Sequence, residues 1–221
     1  MSCRMWRAAL PAIGVLMICS VSRAQFFIPA TESVGPPPCQ PGTGLNGYYF
    51  HVDDAFQGTI VTIANAQIIA MGTPTATYTA TNINYGNSND DVPVNAFLNT
   101  NGGTDGDSLM PLITDPVGSA VFDMKGYISI PDASVTYHFG LNADDGTVLI
   151  LGQSALTVID NGGDHAPQLR EADVDFEAPG LYPVEILFYN DRYMGGIGGQ
   201  ILQFLYYGTI VDPTTLYQSV P

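Results

Sequence analysis

Four stretches of apolar and polar alternation govern what this chain can fold into. Phe122, Met124, Ile128 and Ile130 alternate with Asp123, Lys125 and Ser129, and Val135, Tyr137, Phe139 and Leu141 with Ser134, Thr136 and His138. Further on, Ala172, Val174 and Phe176 alternate with Asp173, Asp175 and Glu177, and Tyr182, Val184, Ile186 and Phe188 with Glu185 and Leu187. Successive side chains of a strand point to opposite faces, so each stretch predicts a strand with one buried face. Shorter β-like runs at 57–66, 76–83, 147–151 and 200–207 add to these, and no window carries a helical apolar period. Eight or more strands without helical crossovers predict an all-β fold, an antiparallel sandwich or barrel.

The N-terminus is a targeting segment by its pattern. Arg4 and Arg7 precede a largely apolar run from Ala8 to Val21, and Ser22-Arg23-Ala24 offers small residues for cleavage before Gln25. Pro11 and Gly14 interrupt the run, which is too short for a membrane span, and Ile18 is too large for lipid attachment at Cys19. The expectation is a signal peptide over 1–24 and a mature chain that is secreted or periplasmic, with no transmembrane segment. Residues 25–43, rich in proline, read as an extended arm, with order beginning near Leu45 and a single domain over 44–221. The polar region 82–115 reads as an irregular insertion over one end of the sheets.

The charge balance narrows the partners. Twenty-one acidic residues face six basic ones, for a formal net charge of −15, and cleavage would leave only Lys125, Arg170 and Arg192 as cations. Such a surface repels phosphate backbones, which excludes a nucleic-acid binder, and it suits cations. Cleavage also removes Cys3 and Cys19, so Cys39 has no intramolecular partner.

Between two of the strands lies YHFGLNADDGTVLILG, residues 137–152. On its own, Asp144-Asp145-Gly146 predicts a hairpin turn, with glycine supplying the positive φ that tight turns need. A solvated turn and a metal-binding pair of carboxylates are both compatible with these residues.

The order of motifs around it resembles the PA14 family, named for a domain of anthrax protective antigen and found in bacterial adhesins, glycosidases and yeast flocculins. The elements are GLNGYYF, VFDMKGYISIP, YHFGLNADDGTVLILG, VIDNGGDHAP, APGLYPVEILFYN and MGGIGGQILQFLY. The resemblance implies a β-sandwich with a calcium-dependent sugar site at its loop tips. It implies that Asp144 and Asp145, joined by a cis peptide, hold Ca2+ with the side chain of Asn190 and the backbone carbonyls of Arg192 and Met194. Calcium takes six to eight oxygen ligands, so sugar hydroxyls would complete this set. Met194 replaces the tryptophan that flocculins tend to carry; Tyr193 or Tyr189 would then stack on the sugar, and Arg192 would lie beside it. The expected partner is a carbohydrate or glycan, at a cell surface; the alternative is a structural or interaction scaffold of an extracellular assembly.

Other oxygen-rich segments carry less. In NTNGGTDGD, 99–107, Met110 stands where a calcium-binding EF-hand needs glutamate, so the segment reads as a surface loop. Asp53-Asp54 reads as a turn, and NSNDD, 87–91, is a further oxygen-rich loop. His51, His138 and His165 lack zinc spacing, and no GxSxG elbow is present. The chain reads as a non-enzyme.

Overall fold

The structure, a computed structural model, describes residues 24–52, 60–87, 92–191 and 200–221. Two sheets pack face to face. The first has the order β1 (Ala24–Ile28), β9 (Gln168–Phe176), β6 (Tyr137–Asp144), β11 (Gln200–Tyr206) and β12 (Thr209–Ile210), with β4 (Asn84–Asn87) also on β11. The second runs β3 (Ala76–Ala80), β2 (Leu45–His51), β5 (Ala120–Ile130), β10 (Gly180–Asn190), β7 (Thr147–Leu151) and β8 (Leu156–Asn161), with β13 (Leu216–Tyr217) beside β5. All pairings are antiparallel except β1 on β9. The all-β sandwich expected from the alternation is the fold observed.

The inward halves of the alternating stretches fill the space between the sheets. Phe122 packs against Tyr49, Phe97 and Phe188, with ring centroids 5.1, 5.2 and 5.9 Å away. Such tilted contacts suit aromatic quadrupoles.

Leu187, the residue that breaks the polar half of its stretch, has a separate cause. It is buried on the outer face of β10 with Val121, Val148 and Tyr189, under a helix, α1 (Ile63–Ala70). That helix overturns the strand expected over 57–66, of which 57–59 lie outside the described residues. Thr62 caps it by accepting a hydrogen bond from the Asn65 amide, and Ala64, Ala66, Gln67 and Ala70 favour the helical state. Its apolar residues are not confined to one stripe, so the sequence carries no helical period to read: Ala66 is buried while Ile68 is 66% exposed.

The region 82–115 is likewise more than a cover. It contributes β4 and a second helix, α2 (Val94–Leu98), whose Val94, Phe97 and Leu98 are fully buried. Asp105, in the segment read as a surface loop, is buried and accepts hydrogen bonds from the Thr81 and Asn82 amides and the Thr81 and Tyr85 hydroxyls. It ties that segment to β3 and β4. Asp53, Asp54 and 88–91 lie outside the described residues.

The segment before Leu45, expected as an extended arm, carries regular structure from Ala24–Ile28 onward. β1 extends the first sheet, Ile28 enters the core, and Glu32 accepts hydrogen bonds from the Ser154 amide and hydroxyl, both at 2.7 Å. The arm is part of the sandwich because its apolar Phe26 and Ile28 pack against the core.

Candidate functional site

Several strand ends converge at one end of the sandwich. β6 ends at Asp144, β8 at Asn161 and β10 at Asn190, while β5 begins at Ala120 and β9 at Gln168. The pairs Asn190 with Ala120, Thr147 with Asn161 and Ala143 with Gln168 hold these ends together.

Asp144-Asp145-Gly146 lies across this end and is not a hairpin turn. β6 belongs to the first sheet and β7 to the second, so the link carries the chain from one sheet to the other. Glycine is required here for space rather than for a positive φ, which Gly146 does not have. A Cβ at Gly146 would stand 2.4 Å from a carbon of the Tyr189 ring. The Asp144–Asp145 peptide bond is cis.

Asp145 is the hub of the local polar network. One of its carboxylate oxygens accepts from the His165 amide at 3.2 Å and the other from the Asp191 amide at 2.9 Å. Asp191 in turn accepts from the Ile60 amide at 3.2 Å and the Ser119 hydroxyl at 3.1 Å. Tyr189 binds the same corner from beneath: its amide donates to the Gly146 carbonyl, and its hydroxyl accepts from the Gly163 amide. Four separate chain segments are thereby drawn to the two aspartates.

The electrostatics are one-sided. Burial pushes the Asp144 carboxyl up to about 6 against the pull of His165. Burial likewise raises Asp145 to about 6, with Asp144 and Asp164 adding to it and the Asp191 and His165 amides opposing. Asp164 is raised by burial and then by Asp191. Desolvation and like charge disfavour ionised carboxylates unless a cation answers them.

The donor set fits a hard cation. Carboxylate, amide and carbonyl oxygens are what calcium takes. Asn190 is buried, and its side-chain nitrogen donates to the Gly118 carbonyl at 2.6 Å, which assigns the amide orientation and leaves its oxygen for another partner. Among the described residues Asp144 accepts no hydrogen bond, and no three His, Cys, Asp or Glu side chains are grouped to hold a metal. A site here therefore needs amide and main-chain oxygens beside the two aspartates.

Of the residues singled out in the sequence, Asp144, Asp145 and Asn190 come to this end together. Arg192, Tyr193 and Met194 lie outside the described residues. Tyr189 is not a stacking platform, because it is fully buried under Gly146. Sequence reasoning missed Asp191 and Asp164; the only signal was their place beside Asn190 and within the NGGDH stretch.

The sequence matches the family model of the outer membrane exchange protein TraA, N-terminal domain, over residues 52–192. Among solved structures, it is similar to a PA14 sugar-binding domain from an RTX adhesin, with a TM-score of 0.62 and 22% identity over 80% of this chain and 99% of that one. The PA14 domain of the MpAFP antifreeze protein gives a TM-score of 0.64 and 20% identity over 82% of this chain and 94% of that one. The epithelial adhesin 6 A domain from Candida glabrata, solved in complex with Galβ1-3GlcNAc, gives 0.52 and 16% over 85% and 92%. No curated protein sequence matches significantly. The fold is that of PA14 domains.

Proposed function

Since the chain belongs to the family of the TraA N-terminal domain, we propose that it is a secreted, non-catalytic module that binds carbohydrate through calcium at the Asp144–Asp145 corner. The observation that carries this reading is the convergence of Asp144, Asp145 and Asn190 where burial already presses both carboxylates toward the protonated form. A divalent cation answers that charge. When bound, calcium would supply open coordination positions that vicinal sugar hydroxyls can fill. The chain's own part is orientation: the Asp191 and His165 amides fix Asp145, and the Gly118 carbonyl fixes the Asn190 amide. The main-chain carbonyls of Arg192 and Met194 complete the proposed set, with Tyr193 and Arg192 beside the sugar.

The sugar complexes of the Candida glabrata adhesin domains support a glycan partner. Among the described residues no helix is long and apolar enough to cross a membrane. One observation favours a scaffold instead: both Asp145 oxygens already accept main-chain amides and would tie the loops together without a metal.

Calorimetric titration of chelator-stripped protein with calcium separates the two. Stoichiometric binding that is lost in the Asp144→Asn/Asp145→Asn double variant supports the lectin reading. No binding into the millimolar range leaves the scaffold.

A further inference from the structure

A concavity lies beside the loop that hydrogen-bonds this corner. Between α1 and the outer face of β7 and β8 runs a groove of about 570 Å³, within the roughly 300–1,000 Å³ typical of ligand clefts. Its upper end is Gly162 and Gly163, in the loop that donates to Tyr189 through the Gly163 amide and to Asp145 through His165. Its lower end reaches Thr157, three residues below Asp160 on β8 and so about 10 Å further from the corner at the rise of a strand. The groove therefore begins at the loop that hydrogen-bonds Asp145 and leads away from the corner.

Its lining mixes hydrocarbon with uncharged polar groups. Val61 and Ile63 offer apolar surface over the buried Val148, Gln67 an amide and Thr157 a hydroxyl, and among the described residues Asp160 is the single charged member of the lining, with no cation. Gln67 and Thr157 are exposed, and among the described residues neither side chain is held by a hydrogen bond. A pyranose ring presents an apolar C–H face and a rim of hydroxyls, which such a lining matches. Along the groove itself, phosphate or another polyanion would meet the Asp160 carboxylate and, among the described residues, no base. Glycine keeps the upper end open: a Cβ on Gly162 would stand 2.9 Å from Cγ1 of Ile63 and 3.0 Å from Oδ1 of Asp160.

We propose that the groove extends the corner into a site for a neutral oligosaccharide, with a terminal sugar at Asp144 and Asp145 and the following rings between α1 and β8. This rests on the carbohydrate reading of the corner. The preference for a chain over a single sugar comes from contacts at Gln67 and Thr157, which leave the corner itself untouched.

The test is binding of the calcium-loaded protein to an array of neutral mono- to hexasaccharides, for the wild type and for a Gln67→Ala/Thr157→Ala variant. Calcium titration is run on both. The expected result is that the wild type favours longer chains over their terminal monosaccharide by roughly tenfold, as one or two added hydrogen bonds would give. The double variant should lose that advantage while keeping calcium binding and the weaker monosaccharide signal. Equal retention of mono- and oligosaccharides, unchanged in the variant, overturns the groove and leaves the corner standing. Calcium binding with no glycan retained overturns the carbohydrate reading and the groove with it.

Discussion

Gly146 rests on the ring of Tyr189 so closely that a methyl group at Gly146 would stand 2.4 Å from Cε1 and 2.7 Å from the hydroxyl oxygen. The contact couples the aspartate link to the Gly163 loop, since the Tyr189 hydroxyl accepts from the Gly163 amide. Gly146→Ala must displace either the ring or the link. Overpacking of this kind costs about 1–3 kcal/mol, and urea denaturation should register it. The displaced link should also weaken calcium binding. A variant with wild-type stability and wild-type calcium affinity would show that the ring moves aside without consequence.

Asp144 and Asp145 differ in what they do without a metal. Asp145 accepts two main-chain amides, whereas Asp144 accepts no hydrogen bond among the described residues and is pushed up by burial. Asp144→Asn therefore removes an ionised group that no hydrogen bond among the described residues compensates and for which burial outweighs the pull of His165, and in chelator at pH 7.5 it should be at least as stable as the wild type. Asp145→Asn turns a donor toward one of those amides and should cost about 1–3 kcal/mol. Both should abolish the rise in Tm expected of the wild type on adding calcium. Scanning calorimetry with and without calcium checks this, and equal destabilisation by the two substitutions in chelator would assign Asp144 a structural role.

The strands at the centre of both sheets were legible because one of their faces meets solvent, which writes a period of two into the sequence. Ala172, Val174 and Phe176 against Asp173, Asp175 and Glu177 are the clearest case, and they form β9 as expected. Elements that lack such a boundary were not legible. α1 is apolar on both its covered and its exposed sides, so Ile63–Ala70 read as strand. β1 carries too few residues to show a period, and its pairing with β9 joins positions about 150 apart in the chain. Asp144, Asp145 and Asn190, which meet at the candidate site, are singled out by the order of motifs, not by local geometry. The local reading of Asp-Gly as a hairpin failed because the fold changes sheets there. Asp191 and Asp164 become visible only once hydrogen bonds and burial around Asp145 are known.

Another buried acid sets a pH dependence away from the Asp144–Asp145 corner. Asp123 is 1% exposed on β5, with one oxygen 2.6 Å from the Lys125 ammonium and the other without a hydrogen-bond partner. Burial pushes its carboxyl up to about 6 even though Lys125 opposes the shift. Between about pH 4 and 6 the folded protein therefore holds a proton that the unfolded chain has released. The stability contributed by the protonated group is fully present below pH 4 and lost as pH rises through 6. Asp123→Asn is free of that loss, while Lys125 keeps Glu185 at 3.5 Å. Relative to the wild type it should gain stability across pH 4–6 and keep a gain of about 1 kcal/mol or more at neutral pH. Denaturation curves at pH 4, 5, 6 and 7 test this; a difference that does not grow with pH would remove Asp123 from the account.

The arm supplies the last test. Ile28 is fully buried between the sheets, and β1 is held by main-chain pairing to β9 from Ala172 to Phe176. Truncating a core side chain of this kind costs about 2–5 kcal/mol, with the spread set by how far neighbours collapse into the space. Ile28→Ala should fall in that range, whereas Phe27→Ala, one residue earlier and 62% exposed, should stay within about 0.5 kcal/mol of the wild type. Glu32→Ala should add a separate loss, because it leaves the Ser154 amide and hydroxyl without their acceptor. Equilibrium unfolding of the three variants, followed by circular dichroism, gives the order. If Ile28→Ala and Phe27→Ala are equally mild, β1 contributes pairing alone and the domain's core closes without it.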